Sequence, residues 1–273
     1  MAGFVFFGGA LRGRGDATIT DSVETKMVAS FIPPRTALDA LQSALHARGY
    51  AVLAPDAVAA LAGLALDALM GLVPSWDDLH QDHYLKDGGS YRKRRHSCFV
   101  AEAGALLQAP HRMHWQSEDY NALHGGMERW FEPIEPAVAS SRAWSQLLLA
   151  LADVCSARKP VARWFIEAHQ FRIDTRDGIG RPTPEGAHRD GVDFVAVLLI
   201  ARHAIKGGET RVFEANGPDG QRFTLSEPWS LLLLDDARMI HESTPIQPLD
   251  DYGWRDTLVL TFRADGFQGD EAG

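Results

Sequence analysis

From residue 161 onward the chain alternates short apolar runs with polar breaks that carry glycine, proline, asparagine or aspartate. WFIEAHQFRI, DFVAVLLI, ETRVFEA, FTLSE, SLLLLDD, RMIHESTPI and TLVLTFRA each have the length and the β-branched or aliphatic content of a strand. Such segments in succession predict an antiparallel sandwich or barrel. Upstream the period is helical. Leu38, Leu41 and Leu45 share one face of residues 36–48, with Gly49 placed as a C-cap. Tyr50 to Leu53 reads as a short strand, and Asp56 as the cap of an Ala/Leu-rich helix that Pro74 ends. Residues 135–158 predict a helix that buries Leu147, Leu148, Leu149 and Leu151. Between the helices, residues 111–133 (HRMHWQSEDYNALHGGMERWFEP) are aromatic-rich and without period, as a lid or pocket wall would be. The expected fold is mainly β with helices laid against one side of a sandwich. One domain is expected over residues 35–265, preceded by a poorly ordered extension over 1–34, with Met27 as an alternative start.

Composition narrows the class. Hydrophobic residues make up 45% of the 273, enough for a substantial core, and the formal net charge of −9 argues against a nucleic-acid or acidic-membrane partner. The longest apolar stretch, residues 57–73, carries Asp67 and is shorter than the roughly 20 residues of a membrane span. Cys98 and Cys155 form no CxxC pair and no disulfide framework, which suits a reducing, cytoplasmic setting. The expected partner is a small molecule.

The candidate chemistry starts at PTPEGAHRDGVDFV. His188 and Asp190 sit two apart at the mouth of an apolar strand, so in extended chain they face one side. A His-x-Asp pair alone is weak, because 11 histidines and 36 acidic residues yield about one by chance; His80 and Asp82 are such a second pair. The first pair gains weight from His241 on a later strand. Two imidazoles and a carboxylate on one side of Fe(II) leave adjacent positions for a chelating cosubstrate and O2. In the last strand Arg255, Thr257, Val259 and Thr261 share one face. Arg255 can take a distal carboxylate bidentately with Thr257 as a supporting hydroxyl, which is what 2-oxoglutarate requires. Gln170 and Arg172 share a face of WFIEAHQFRI and are expected to line the cosubstrate pocket, with His169 on the opposite face as a core histidine. In YRKRRHSCF, Arg92, Arg94 and His96 share one face and Lys93 and Arg95 the other.

His188-Arg189-Asp190, His241 and Arg255-Asp256-Thr257 together resemble the HxD…H…RxS/T signature of Fe(II)/2-oxoglutarate dioxygenases. DGGSYRKRR, NALHGGMERWFEP, EAHQFRI and PTPEGAHRDGVDFV are similar to the bacterial group that holds L-isoleucine dioxygenases, other free-amino-acid hydroxylases and a biofilm-associated protein. The resemblance implies a double-stranded β-helix, a jelly roll related to cupins. It implies metal ligands at His188, Asp190 and His241 and a 2-oxoglutarate anchor at Arg255. The implied reaction turns 2-oxoglutarate and O2 into succinate and CO2 while hydroxylating an unactivated C–H bond. Asp190 favours hydroxylation over halogenation, since halogenating members carry a small residue there. An amino-acid substrate needs a cation for its carboxylate. Arg92 and Arg94 are the candidates, Arg95 the alternative if the register is reversed, and Glu118 or Asp119 could meet an ammonium group. A peptide or natural-product substrate, or a metal-binding sandwich without turnover, are the competing readings, and a homodimer is compatible with all of them.

Overall fold

A computed structural model describes residues 31–121 and 123–270, so the order of residues 1–30 and the Met27 start lie outside the described residues. Residues 38–40 form a 3₁₀ turn that runs into α1 (Leu41–Arg48), which ends at Gly49 in the left-handed conformation, φ +76°. β1 (Tyr50–Leu53) follows. The helix expected over residues 57–73 is two short ones, α2 (Pro55–Leu61) and α3 (Leu66–Met70), because the chain turns at Gly63; Ala54, not Asp56, is the N-cap. After a 3₁₀ turn at Val73–Trp76 come β2 (His80–Gln81), β3 (Arg92–Glu102) and β4 (Ala105–Gln108). Residues 135–158 likewise split, into α4 (Pro136–Ala139) and α5 (Arg142–Arg158), with the Ser141 hydroxyl accepting the Trp144 N–H as N-cap.

The strand-rich half holds β5 (Arg163–Asp174), β6 (Phe194–His203), β7 (Ile205–Gly207), β8 (Thr210–Glu214) and β9 (Gly220–Phe223). β10 (Leu231–Asp235), β11 (Met239–Ser243), β12 (Ile246–Pro248) and β13 (Trp254–Arg263) complete it. The run RMIHESTPI is thus two strands, divided at Thr244–Pro245. The major sheet has the order β1-β10-β6-β13-β5-β3-β2 with β4 on β3, and the minor elements are β11-β8-β9 and the ribbon β12-β7. Every pairing between these strands is antiparallel. The architecture is that of a jelly-roll core with helices on one outer face.

Alternation on the central strands separates two environments. On β5 and β13 the even-numbered residues Trp164, Ile166, Ala168, Leu258, Leu260 and Phe262 pack with Trp144, Leu147, Leu148 and Leu151 of α5. Trp76, Trp144, Trp164 and Trp229 are among the fully buried side chains, each removing roughly 150–250 Å² from water. The odd-numbered residues of both strands face the other way, into a cavity of about 120 Å³ under the minor sheet. Among the described residues no single helix is long and apolar enough to cross a membrane.

Candidate active site

The apolar strand β6 needs a turn to enter the sheet, and the HRDG sequence supplies it. Gly191 has φ +75° and lies where a Cβ would run into the Tyr120 ring, so only glycine suits that position. The amides of Asp190, Gly191 and Val192 donate to the buried Asp236 carboxylate at 3.0, 2.8 and 3.1 Å. Burial and the neighbouring Asp190 carboxylate push Asp236 up to about 7. On the other side of the turn, Gln268 Nε2 donates to the Asp190 carbonyl at 2.7 Å. The loop that carries His188 and Asp190 is fixed from two directions.

His188 is tied to β11 by backbone. Its N–H donates to the His241 carbonyl at 3.1 Å and its carbonyl accepts the His241 N–H at 2.9 Å, so the two residues form an antiparallel bridge. Paired residues of this kind send their side chains to the same side. The rings stand 4.7 Å apart, and one donor atom from each of His188, Asp190 and His241 lies within 4.8 Å of the others. His188 Nε2 is 3.8 Å and His241 Nε2 3.7 Å from the Asp190 carboxylate. His188 Nδ1 donates to the Gly186 carbonyl at 2.9 Å, which fixes the tautomer and leaves the Nε2 lone pair facing the cluster. Burial lowers the His188 pKa, but the Asp190 and Glu185 carboxylates outweigh it and the net shift is upward; burial and His188 hold His241 well down. Gln116 Nε2 donates to Asp190 Oδ1 at 3.2 Å. Two imidazoles and a carboxylate converging this way, with His188 and Asp190 oriented by hydrogen bonds, fit a divalent iron, which binds the imidazoles in their neutral form.

Arg255 lies at the start of β13 with its side chain in the same cavity. It is buried, and its Nε and Nη2 have no hydrogen-bond partner among the described residues. Burial, with the Arg202 cation nearby, pulls it down to about 10. A buried guanidinium left this way is complementary to a carboxylate ligand. Thr257 lies two residues on, also buried and lining the cavity.

Gln170 does not lie there. It sits on the helix-facing side of β5, fully buried, and donates from Nε2 to the Ser75 hydroxyl at 2.8 Å. Arg172 shares that face and forms a two-pronged pair with Asp256 at 2.8 and 2.7 Å. The alternation of β5 was legible but the direction of its faces was not, and the cavity receives His169, Phe171 and Ile173 instead. His169 is therefore a pocket-lining residue as well as a hydrogen-bonded one.

Arg92 and Arg94 both line the cavity, whereas Arg95 turns away to Asp78 and the Pro133 carbonyl. Arg92 Nε donates to Asp82 at 2.7 Å, so the second His-x-Asp pair supplies a structural counter-ion. The Arg94 guanidinium lies between the Phe131 and Phe171 rings, 3.8 and 4.6 Å from their centroids. Glu118 and Asp119, expected near an ammonium group, are exposed and outside the cavity. Residues 111–133 do form a wall, and from it His114, Gln116 and Arg129 reach the cavity, none of which the sequence pattern singled out. Arg129 Nη2 donates to Gln116 Oε1 at 2.9 Å, and burial with the nearby Arg92 cation lowers Arg129 to about 10.

A family model described as 2OG-Fe dioxygenase matches residues 73–261. Among solved structures, a bsmA homolog from Methylobium petroleophilum PM1 is 53% identical, with 87% of this chain and 97% of that one covered and a TM-score of 0.83. IDO from Bacillus thuringiensis is similar at 17% identity, 84% and 100% coverage and a TM-score of 0.69. The Fe(II)/α-ketoglutarate-dependent dioxygenase TqaL follows the same fold at 18% identity, 85% and 89% coverage and a TM-score of 0.65. No curated protein matches the chain.

Proposed function

We propose that this chain, which belongs to the 2OG-Fe dioxygenase family and so uses Fe(II), 2-oxoglutarate and O2, hydroxylates a free or lightly modified L-amino acid. Iron and 2-oxoglutarate, when bound, activate O2 so that a substrate C–H bond becomes C–OH while 2-oxoglutarate is converted to succinate and CO2. In this reading His188, Asp190 and His241 hold the metal. Gly186 and Gln116 keep the His188 ring and the Asp190 carboxylate in their ligating orientations. Arg255 takes the distal carboxylate of 2-oxoglutarate, with Thr257 beside it, and burial of both keeps water from that end of the cavity.

The observation that carries the substrate class is a set of buried guanidinium nitrogens left without partners among the described residues at the β3 side, although the carboxylates of Asp82, Glu167 and Glu185 lie nearby. Arg92, Arg94 and Arg129 line the cavity, and Arg92 Nη2, Arg94 Nε and Arg129 Nε are buried with no partner among the described residues. Asp82 answers Arg92 directly but lies 3.8 Å from Arg94. Guanidinium groups in this state call for an anionic ligand, and an amino-acid carboxylate supplies one in a cavity of small-molecule size. The resemblance of four stretches to the bacterial group that holds free-amino-acid hydroxylases supports the same choice.

The test is to mix the purified chain with Fe(II), 2-oxoglutarate and a panel of L-amino acids, then measure succinate and product mass. Succinate that depends on one of the amino acids, matched by a product one oxygen heavier, is the expected result. Succinate that never rises above the substrate-free background rejects the reading.

A further inference from the structure

The cavity wall carries a second group of ionisable side chains that the reading above does not use. His96 on β3, Glu167 and His169 on β5 and His114 on the 111–133 segment are all buried, with one donor atom of each within 4.8 Å of the others. By residue type this is a metal-ligand set. Proton placement argues otherwise. Arginine is only ever a donor, and Arg94 Nη2 lies 2.7 Å from His169 Nδ1, so that nitrogen accepts and a neutral His169 carries its proton on Nε2. Nε2 is the atom turned toward Glu167, at 3.9 Å, where a metal would meet an N–H. Glu167 Oε2 accepts from His96 Nε2 at 3.0 Å and from His114 Nδ1 at 2.8 Å. Two rings thus hydrogen-bond one carboxylate oxygen, and His169 turns its N–H toward the same oxygen from beyond hydrogen-bond range. Burial holds all three pKa values down, and the arginines add to the effect, so the rings are neutral near pH 7.

This arrangement determines what His114 can do. With Nδ1 committed to Glu167, its remaining nitrogen, Nε2, carries a lone pair on a ring that lines the cavity. His114 and Arg129 are antiparallel bridge partners, joined by N–H to carbonyl bonds of 2.8 and 3.0 Å. Their side chains therefore leave the pair on the same side, about 5 Å apart at Cβ. An acceptor-only nitrogen beside a guanidinium matches a ligand that carries a donor next to a carboxylate. Glu167 behind the ring adds negative character that favours a cationic donor over a neutral one.

We propose that His114 Nε2 and Arg129 form a subsite for the α-amino-acid head group, the guanidinium taking the carboxylate and the imidazole accepting from the α-ammonium. The proposal rests on the amino-acid hydroxylase reading and adds the residue that distinguishes an amino acid from a plain carboxylic acid. Glu167 acts through His114 as a positioning residue, and it fixes the tautomer without touching the ligand.

The test compares the best amino acid of the panel with its des-amino counterpart, such as L-leucine with 4-methylpentanoate, in wild type, His114→Asn and His114→Phe. Asparagine keeps a donor for Glu167 but reaches no acceptor to the Nε2 position, and phenylalanine keeps the ring volume, so the two variants carry different folding risks. Wild type should prefer the amino acid by on the order of 10²-fold in kcat/KM. Each folded variant should lose at least about tenfold of that preference while the KM for 2-oxoglutarate stays within about twofold. Variants that keep the wild-type preference overturn the subsite and leave the hydroxylase reading intact. A wild type that turns over no amino acid overturns both.

Discussion

Two groups of imidazoles, each built around one carboxylate, face the same cavity and differ in where their protons sit. At the mouth of β6 the His188 N–H points outward to the Gly186 carbonyl, and a lone pair is left facing Asp190 and His241. Around the middle of β3 and β5 the histidine N–H groups point inward, from His96 on β3 and His114 on the 111–133 segment to a single Glu167 oxygen. The first group sits where a loop meets a strand, so a backbone carbonyl is on hand to take the distal proton. In the second, His96 and His169 are direct cross-strand partners in mid-strand, and the Glu132 carbonyl beside His96 is taken by that residue's own backbone N–H, so the ring N–H turns to the Glu167 carboxylate. The same residue types make a candidate metal-ligand set in one place and a hydrogen-bond hub in the other. Residue inventory alone does not separate them; the hydrogen bonds of His188, His96 and His114 do.

The sharpest way to break this contrast is to delete ligands. His188→Ala or Asp190→Ala should lower hydroxylation by on the order of 10³-fold or more while the melting curve stays close to wild type, and a variant with near-normal turnover would sink the metal assignment. Arg255→Ala should raise the KM for 2-oxoglutarate roughly 10–100-fold with a smaller change in kcat, because it removes charge-assisted bonds to the cosubstrate and not the metal. An unchanged KM would move the anchor elsewhere. Glu167→Gln acts on the other group. It should lower stability by about 1–3 kcal/mol, read as a reduced melting temperature, since a neutral amide is a weaker acceptor for the His96 and His114 N–H groups than a carboxylate. A melting temperature equal to wild type would mean that Glu167 is no hub.

The smallest effect is the pH response of the buried rings. His96, His114 and His169 have folded-state pKa values held below the ordinary value of about 6.5, chiefly by burial. As pH falls below that value the unfolded chain takes up protons that the folded chain does not, so stability is present above about 6.5 and is lost as pH drops. Asp236 and His188, both held up in the folded chain, oppose this fall over the same range. The check is therefore ring by ring: the NMR signals of His96, His114 and His169 should reach their titration midpoints below about 6.5, and midpoints at or above it would contradict the neutral-ring picture.

Much of this was legible in the sequence, and the gaps have physical causes. The proposed ligand pair His188 and Asp190 and the proposed anchor Arg255 stood out because they lie at the mouths of strongly apolar strands, where a polar residue needs a reason, and His241 because it follows them on a later strand. The alternation of β13 and β3 told correctly which residues share a face. On β5 both faces carry polar groups, Gln170 and Arg172 on one and Glu167 and His169 on the other, so alternation could not say which one meets the cavity. The side chains of His114, Gln116 and Arg129 could not be placed at all, because residues 111–133 form a wall with no repeat. Only the crowding of His, Arg and Trp in that stretch marked it as a pocket wall. Asp236 read as the polar end of a strand, and its role in holding the amides of residues 190–192 depends on a contact distant in sequence.

Anaerobic titration of Fe(II) in the presence of 2-oxoglutarate, applied to wild type, the double variant His188→Ala/His241→Ala and Glu167→Gln, tests the distinction between the two groups most directly. A single iron per chain is expected in wild type and in Glu167→Gln, and none in His188→Ala/His241→Ala. A second equivalent of iron in wild type, or iron kept by the double variant and lost by Glu167→Gln, would contradict the assignment of the two groups.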